Sequence, residues 1–181
     1  MVLLLYHIIL INYDKEGRIT MAIIHHQFGP IFDEHSKILI LGSFPSVKSR
    51  EKAFYYQHPQ NRFWRILSML YDEEFVNSSQ EHLIQLLHKY HIALYDVVES
   101  CEIKGSSDQS LKPDTFSNID EIIKHSEITH LFFNGRKAYD LYCKQKLPIS
   151  QPAIYLPSTS PANAKMSLPD LLTKWQDILK R

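Results

Sequence analysis

Four short, continuous apolar segments predict strands that are buried on both faces. They cover residues 37–41, 91–98, 130–133 and 153–156. Between them, apolar side chains recur with the i, i+3, i+4, i+7 spacing of a helix that packs on one face. These positions are Phe63, Ile66, Leu67 and Leu70, then Leu83, Leu86, Leu87 and Tyr90, and finally Leu168, Leu171, Leu172 and Trp175. The alternation predicts an α/β fold, a three-layer αβα sandwich around a central, mostly parallel four-stranded sheet.

Polar residues in front of the helical patterns predict where the helices begin. Three sites have this character, two of them with the spacing of a capping box: Ser78-x-x-Glu81, Ser167-x-x-Asp170 and Asn118. The longest polar stretch covers residues 100–114, and we expect it to form a loop.

The first residues of the chain stand apart from this pattern. The apolar run over residues 1–12 is shorter than the roughly 20 residues of a bilayer span, and it lacks the features of a secretory signal. We therefore expect no membrane association. Met21 opens a new segment, so residues 1–20 are interpreted as an upstream extension and residues 21–181 as a single domain. An added edge strand is the alternative for the first 20 residues.

The composition narrows the function classes. The 181 residues hold 5 glycines that lie far apart, so neither a phosphate-binding P-loop nor a GxGxxG dinucleotide motif can form. Lys and Arg together number 20, as do Asp and Glu, so a net charge of zero gives no overall attraction to nucleic acid. The 2 cysteines are isolated and the 10 histidines are scattered. This predicts a cytoplasmic protein without a disulfide framework, cofactor or metal.

Polar residues follow each predicted strand at its carboxyl end. Gly42 and Ser43 follow the first strand, Asp96 lies near the end of the second, Asn134 follows the third, and residues 157–163 follow the fourth. Because ligands of open parallel sheets bind at this edge, the sequence predicts one shared site there. Ordinary turn chemistry is the alternative, since the same residue types favour turns.

Basic residues alternate with aromatic ones in the middle of the chain. Arg62 and Arg65 flank Phe63 and Trp64, an arrangement that suits a nucleic-acid backbone and an unstacked base. A solvated face over core aromatics is the alternative. A serine hydrolase of the GxSxG type is excluded because the sequence lacks that motif.

Four motifs in order, GSFPS, YYQHPQNRFW, FFNGRKA and LPSTSPAN, resemble the uracil-DNA glycosylase superfamily. The resemblance is greatest to its hypoxanthine-DNA (deoxyinosine) glycosylase branch and runs from about Met21 to the C-terminus. It implies a monofunctional enzyme that hydrolyses the N-glycosidic bond of deaminated bases in DNA, hypoxanthine first and uracil second. The target base leaves the stack, and no metal or cofactor takes part. A non-catalytic reader of damaged nucleic acid with the same fold is the alternative.

The resemblance also implies roles for particular residues. Asn61 becomes the catalytic candidate, although an N-terminal helix cap is the alternative. Tyr56 is expected to stack on the flipped base, with a core tyrosine as the alternative, and Asp96 is expected to read the base, with a loop cap as the alternative. Phe44 and Leu156 depart from the family pattern, which has Asp or Asn at the first position and His or Asn at the second.

The expected base pocket and DNA loop follow from the same motifs. The base pocket comprises Gly42, Ser43, Phe44, Tyr56 and Asp96. The loop that contacts DNA phosphate and enters the base stack comprises Ser158, Thr159, Ser160 and Asn163. The expected partner is DNA that contains deaminated bases, and the chain length without heptads favours a monomer.

Overall fold

The computed structural model describes residues 10–13, 19–103 and 112–180. Within these ranges the strands are β1 Leu10–Tyr13, β2 Ile19–His25, β3 Ile38–Gly42, β4 Ile92–Asp96, β5 Val98–Ile103, β6 Lys112–Phe116, β7 His130–Asn134 and β8 Ala153–Leu156. The α-helices are α1 Val47–Lys52, α2 Phe63–Tyr71, α3 Gln80–Lys89, α4 Ile119–Lys124, α5 Arg136–Gln145 and α6 Leu168–Trp175, and a 3₁₀ helix Gln176–Lys180 follows α6.

The central sheet has the strand order β4-β3-β7-β8, and every neighbouring pair in it is parallel. All residues of β3 are buried, and Leu39 pairs with Ala93 on one side and with Leu131 on the other. Helices cover the sheet: α3 packs on β4, α5 packs on β7 and β8, and α2 packs on α6. The predicted α/β class and the parallel four-stranded sheet are confirmed, because strands buried on both faces require continuous apolar segments.

The helices predicted from the apolar spacing are present as α2, α3 and α6. In α2 the spacing directs Phe63, Ile66 and Leu67 into the core, where all three are fully buried. Trp64 is also buried, and its ring stacks between those of Phe54 and Phe75. The aromatic pair that follows Arg62 therefore belongs to the core.

Two of the three predicted helix starts are confirmed. Ser167 and Asp170 form a reciprocal capping box at the start of α6, and Asn118 caps α4. The third start is wrong by one residue, because Ser79 rather than Ser78 caps α3 by accepting the His82 N–H at 3.2 Å.

A second, antiparallel sheet with the order β1-β2-β5-β6 was not predicted. Residues 91–98 do not form one strand, because the chain divides at Val97 into β4 and β5. Much of the expected loop over residues 100–114 belongs to β5 and β6, while residues 104–111 lie outside the described ranges. β6 has the sequence KPDTF and is mostly exposed, so backbone pairing rather than an apolar pattern holds it in the sheet.

The described part of the first 20 residues forms strand structure. β1 pairs with β2, with Leu10 opposite Ile23, so β1 is an edge strand of the second sheet. The domain boundary at residue 21 stays a prediction, and residues 1–9 lie outside the described ranges. None of the helices in the described part of the chain is long and apolar enough to cross a membrane.

Candidate functional site

A cavity of about 160 Å³ opens beyond the carboxyl ends of the four parallel strands. Gly42, Asp96 and Asn134 end β3, β4 and β7, Ser158 lies two residues after β8, and all four line this cavity. The structure thus brings together the polar strand ends that the sequence assigns to one site. Cavities in this position are the usual ligand sites of open parallel sheets.

The side chains of Asp96 and Tyr56 approach β3 closely at Gly42. A Cβ atom at Gly42 would lie 2.2 Å from Asp96 Oδ1 and 3.3 Å from the Tyr56 hydroxyl oxygen. The absence of a side chain at Gly42 is therefore what admits the carboxylate. Ser43 and Phe44, the next residues along the chain, line the same cavity, so all five residues of the expected base pocket meet there.

The Asp96 carboxylate is buried and has a buried partner in His26. His26 Nε2 lies 2.9 Å from Asp96 Oδ2, and the imidazole side chain is fully shielded from solvent. The rings of Phe28 and Tyr95 pack against it, with centroid distances of 4.6 and 5.0 Å. An ionised carboxylate can only accept hydrogen bonds, so Nε2 donates to Oδ2, and Asp96 Oδ1 remains on the side of Gly42.

His26 is a site residue that sequence reasoning missed. It directly follows β2, and its partner Asp96 is 70 residues further along the chain. No local motif marks such a pair, because the contact depends on how the second sheet packs against the first.

Tyr56 lines the cavity in an unusual backbone conformation, with a φ of 56°. Its ring stacks on that of Phe63, with a centroid distance of 3.9 Å and an interplanar angle of 27°. Burial, reinforced by the negative charge of Asp96, raises the pKa of the Tyr56 hydroxyl far above its ordinary value. The hydroxyl is therefore a neutral hydrogen-bond donor at physiological pH.

The structure places Asn61 both beside the start of α2 and in the wall of the cavity. Its Oδ1 accepts the backbone N–H of Phe63, the first residue of α2, at 3.0 Å. The same oxygen accepts the Thr159 hydroxyl at 2.9 Å. Because Asn61 also lines the cavity, capping the helix and facing a ligand do not exclude each other here.

Three residues of the loop after β8 line the cavity: Ser158, Thr159 and Ser160. Thr159, which the sequence places among the phosphate contacts, is fully buried, and its hydroxyl bonds to Asn61 and Asn134. Asn163 donates its Nδ2–H to the Ser158 carbonyl at 2.9 Å and so holds the loop closed on itself.

Two apolar residues occupy positions where the family resemblance expects polar ones. The Phe44 ring lines the cavity, with the Arg50 guanidinium 5.8 Å from its centroid. Leu156 is buried in the core, with 1% of its surface exposed. Neither side chain can orient a water molecule or donate to a base oxygen.

Arg62 is a second residue whose place sequence reasoning missed. Its guanidinium donates to four backbone carbonyls of the loop after β8, those of Thr159, Ser160, Asn163 and Met166, at distances of 2.5 to 3.3 Å. Four of the five N–H donors of Arg62 are therefore used within the protein and not on a nucleic-acid backbone. They fix this loop to the start of α2.

Replacing Arg62 with lysine should lower the free energy of unfolding by about 1–3 kcal/mol, because one ammonium group cannot reach four carbonyls and leaves part-buried acceptors unpaired. Equilibrium unfolding in urea measures the change. Arg65→Lys, at an exposed position of the same helix, is the matched control and should change the stability by less than about 0.5 kcal/mol. Equal effects of the two substitutions would contradict a special role for Arg62.

The fold and the cavity define a class of protein. This is an α/β protein with a small polar site at the carboxyl edge of a parallel sheet, where one buried carboxylate faces amide and hydroxyl groups. Among the described residues, no group of three or more His, Cys, Asp and Glu side chains is placed to hold a metal ion.

Comparisons with known proteins identify the family. The sequence model described as "Uracil DNA glycosylase superfamily" matches residues 30–180. The chain is 31% identical over 157 residues to a hypoxanthine DNA glycosylase of Methanosarcina barkeri. The aligned region covers 85% of this chain and 97% of that relative. It is 33% identical over 143 residues to a hypoxanthine DNA glycosylase of Methanosarcina acetivorans. That aligned region covers 77% of this chain and 89% of the relative.

A solved structure points to the same superfamily as these relatives. The solution NMR structure of a candidate uracil DNA glycosylase from Methanosarcina acetivorans matches with a TM-score of 0.73 and 29% identity, over 83% of this chain and 93% of that one. The chain belongs to the uracil DNA glycosylase superfamily. Its general class of activity is that of a DNA glycosylase, a hydrolase of the bond between base and sugar.

Proposed function

We propose that the protein hydrolyses the N-glycosidic bond of deaminated bases in DNA, hypoxanthine first and uracil second, and leaves an abasic site. The observation that carries this proposal is the buried Asp96 carboxylate in the same cavity as the Asn61 amide. A carboxylate accepts the N1–H of hypoxanthine or the N3–H of uracil, and an amide N–H donates to a base oxygen or ring nitrogen. The relatives named hypoxanthine DNA glycosylase support the order of the two substrates.

The proposed complex contains a base that has left the DNA stack, because an enzyme cannot reach the glycosidic bond inside a duplex. Tyr56 stacks on the extruded base, supported from behind by the ring of Phe63. Ser158 and Ser160, which line the cavity, hold a phosphate oxygen of the same strand through their hydroxyl groups.

The proposed reaction places most of the catalytic effect on the leaving base. Water adds to C1′ and loses a proton to solvent, while the bond from C1′ to the base nitrogen breaks. The electron pair leaves with the base, which takes up a proton from solvent. The amide N–H groups of Asn61 stabilise the negative charge that develops there. Phe44 lines the cavity where the family resemblance expects Asp or Asn, so water activation contributes less in this chain.

The same cavity favours a monofunctional hydrolase. A glycosylase that also cuts the strand needs an amine nucleophile to form a Schiff base with the sugar. No lysine is among the described residues that line the cavity. Strand cleavage should therefore require a separate alkaline step.

The first test uses labelled duplexes that carry inosine, uracil or no lesion. Each is incubated with the protein in EDTA and is then treated with hot alkali, which cuts abasic sites. We expect alkali-dependent cleavage at inosine, weaker cleavage at uracil and none in the control duplex. A parallel sample without alkali should stay intact.

The other outcomes separate the alternatives. Absence of cleavage together with tight binding to inosine DNA would favour a non-catalytic reader, for which the apolar Phe44 in the cavity and the buried Leu156 are the supporting observations. Cleavage without alkali would contradict a monofunctional enzyme. Cleavage at uracil alone would keep the class and reverse the order of the substrates.

A further inference from the structure

Four hydrogen bonds connect the end of β7 with the start of α2 through one buried threonine. The backbone N–H of Thr159 donates to Asn134 Oδ1 at 2.9 Å, and Asn134 Nδ2 donates to Thr159 Oγ1 at 2.9 Å. Thr159 Oγ1 lies 2.9 Å from Asn61 Oδ1, which also accepts the backbone N–H of Phe63 at 3.0 Å. Together these groups form a continuous polar chain along one side of the cavity.

The orientation of the Asn134 amide follows from an obligate donor. A backbone N–H can only donate, so the atom of Asn134 that faces the Thr159 N–H must be its oxygen. The Nδ2 group is then the one that meets the Thr159 hydroxyl, and it uses that oxygen as an acceptor. The hydroxyl proton of Thr159 is left free to point to its remaining partner, Asn61.

The orientation of the Asn61 amide is fixed from two sides. The N–H of Phe63 and the hydroxyl proton of Thr159 both point at the same atom of Asn61, which must therefore be the oxygen. Both lone pairs of Asn61 Oδ1 are occupied inside the protein. The Nδ2 group is what Asn61 has left to offer to a ligand in the cavity that it lines.

We propose that Thr159 and Asn134 are positioning residues that lock the Asn61 amide with its N–H donors presented to the base. The proposal rests on the function proposed above, and it assigns Thr159 to this role in place of the phosphate contact expected from the sequence. Thr159 is fully buried, so its hydroxyl serves the two amides and not solvent. Asn61 Oδ1, with both lone pairs occupied, is unavailable as an acceptor for attacking water.

The test compares Thr159→Val, which removes the hydroxyl at nearly constant volume, with Thr159→Ser, which keeps it. The single-turnover rate of inosine excision should fall about 10–100-fold in Thr159→Val, since a misplaced catalytic group costs up to this factor. Thr159→Ser should restore most of that rate. The Kd for a duplex with non-hydrolysable 2′-fluoro-deoxyinosine should change by less than about threefold in both variants, because positioning acts mainly on the transition state.

A double substitution distinguishes positioning from general damage. If Thr159 acts through Asn61, Thr159→Val should add less than about twofold to the loss already caused by Asn61→Ala. An independent further loss in that background would overturn the proposal. So would a Thr159→Val protein with the native rate, or a Thr159→Ser protein as impaired as Thr159→Val.

A second variant keeps the proposal testable if Thr159→Val does not fold. Asn134→Asp preserves the acceptor for the Thr159 N–H but replaces the donor group with a second acceptor, which draws the hydroxyl proton away from Asn61. The rate should fall as it does in Thr159→Val. A native rate in Asn134→Asp would contradict the proposed direction of the hydrogen bonds.

A readout without catalysis separates this proposal from the proposed function. The side-chain amide resonances of Asn61 can be assigned in ¹⁵N–¹H NMR spectra by their loss in Asn61→Ala. They should shift or broaden in Thr159→Val and stay near their native positions in Thr159→Ser. Unchanged resonances in Thr159→Val would overturn the positioning role, whereas a native protein that cleaves no lesion would contradict the proposed function alone.

Discussion

Replacement of Asn61 with alanine should lower the single-turnover rate of inosine excision by about 10²–10³-fold, the effect of removing one preorganised donor from a developing negative charge. The donor is preorganised because Asn61 Oδ1 is held by Phe63 N–H and by the Thr159 hydroxyl. Binding to 2′-fluoro-deoxyinosine DNA should change much less than the rate, since the donor gains strength mainly as charge develops on the base. Rapid quench of labelled duplexes at saturating enzyme measures the rate.

The loss of a helix cap cannot account for an effect of this size. Asn61→Ala also removes an acceptor from the start of α2, which should cost about 0.5–2 kcal/mol of stability. A domain with ordinary stability, about 5–15 kcal/mol, stays folded after such a loss. Urea unfolding of the variant checks this point directly.

Asn77→Ala is the matched control for Asn61→Ala. Asn77 is exposed and bonds only locally to Glu74 through its side chain, so the same substitution there should leave the excision rate within about twofold of native. If the Asn61→Ala protein kept the native rate, the role of Asn61 would be limited to capping the start of α2. An Asn61→Ala protein that binds inosine DNA normally and cleaves none of it would separate an enzyme from a non-catalytic reader.

Replacement of Gly42 with alanine should have the second large effect. The added Cβ would lie 2.2 Å from Asp96 Oδ1, well inside van der Waals contact, and this oxygen belongs to a buried carboxylate. Gly42 pairs with Asp96 across the parallel strands β3 and β4, so the two backbones cannot separate without loss of sheet pairing. Asp96 must therefore turn away, which strains its contact with His26.

The expected consequences of Gly42→Ala concern both stability and substrate. The free energy of unfolding should fall by about 1–3 kcal/mol, as is usual for an overpacked core. The excision rate at inosine should fall by about 10²-fold, because Asp96, the group proposed to read the base, is displaced. The Kd for 2′-fluoro-deoxyinosine DNA should rise as well, since the proposed role of Asp96 is exerted in binding and not only in the transition state.

Gly29→Ala provides the control for Gly42→Ala. A Cβ at Gly29 would meet no atom within 4 Å, so the substitution should leave stability and rate close to native. If Gly42→Ala kept the native rate at inosine while unfolding more easily, Asp96 would have no part in base recognition. If both glycine variants behaved alike, the contact between Gly42 and Asp96 would not matter.

The fold could be predicted from sequence as far as burial determines the pattern. The strands of the central sheet read as continuous apolar segments, and α2, α3 and α6 show the spacing of helices with one buried face. The second sheet lacks such a signal, since β6 is polar and exposed and depends on backbone pairing with β5. An apolar sequence pattern identifies strands whose side chains are buried, and it cannot identify strands whose side chains are mostly exposed.

The site could be predicted in its location but not in its internal connections. Strand ends at one edge of a sheet placed Gly42 and Asp96 together, because topology alone brings them into contact. The partners of these residues come from distant segments: His26 from the second sheet and Thr159 from the loop after β8. Thr159 and Arg62 were assigned to DNA by residue type, whereas in the folded chain their donors are used by internal acceptors.

The buried contact between His26 and Asp96 has a consequence for any shortened version of this chain. The family match begins at residue 30, four positions after His26. A domain trimmed to that boundary would retain the parallel sheet, every motif of the resemblance and all residues that line the cavity except Phe28. It would also leave the Asp96 carboxylate without its imidazole partner, so the limits of the family match and the limits of the hydrogen-bonded cavity do not coincide.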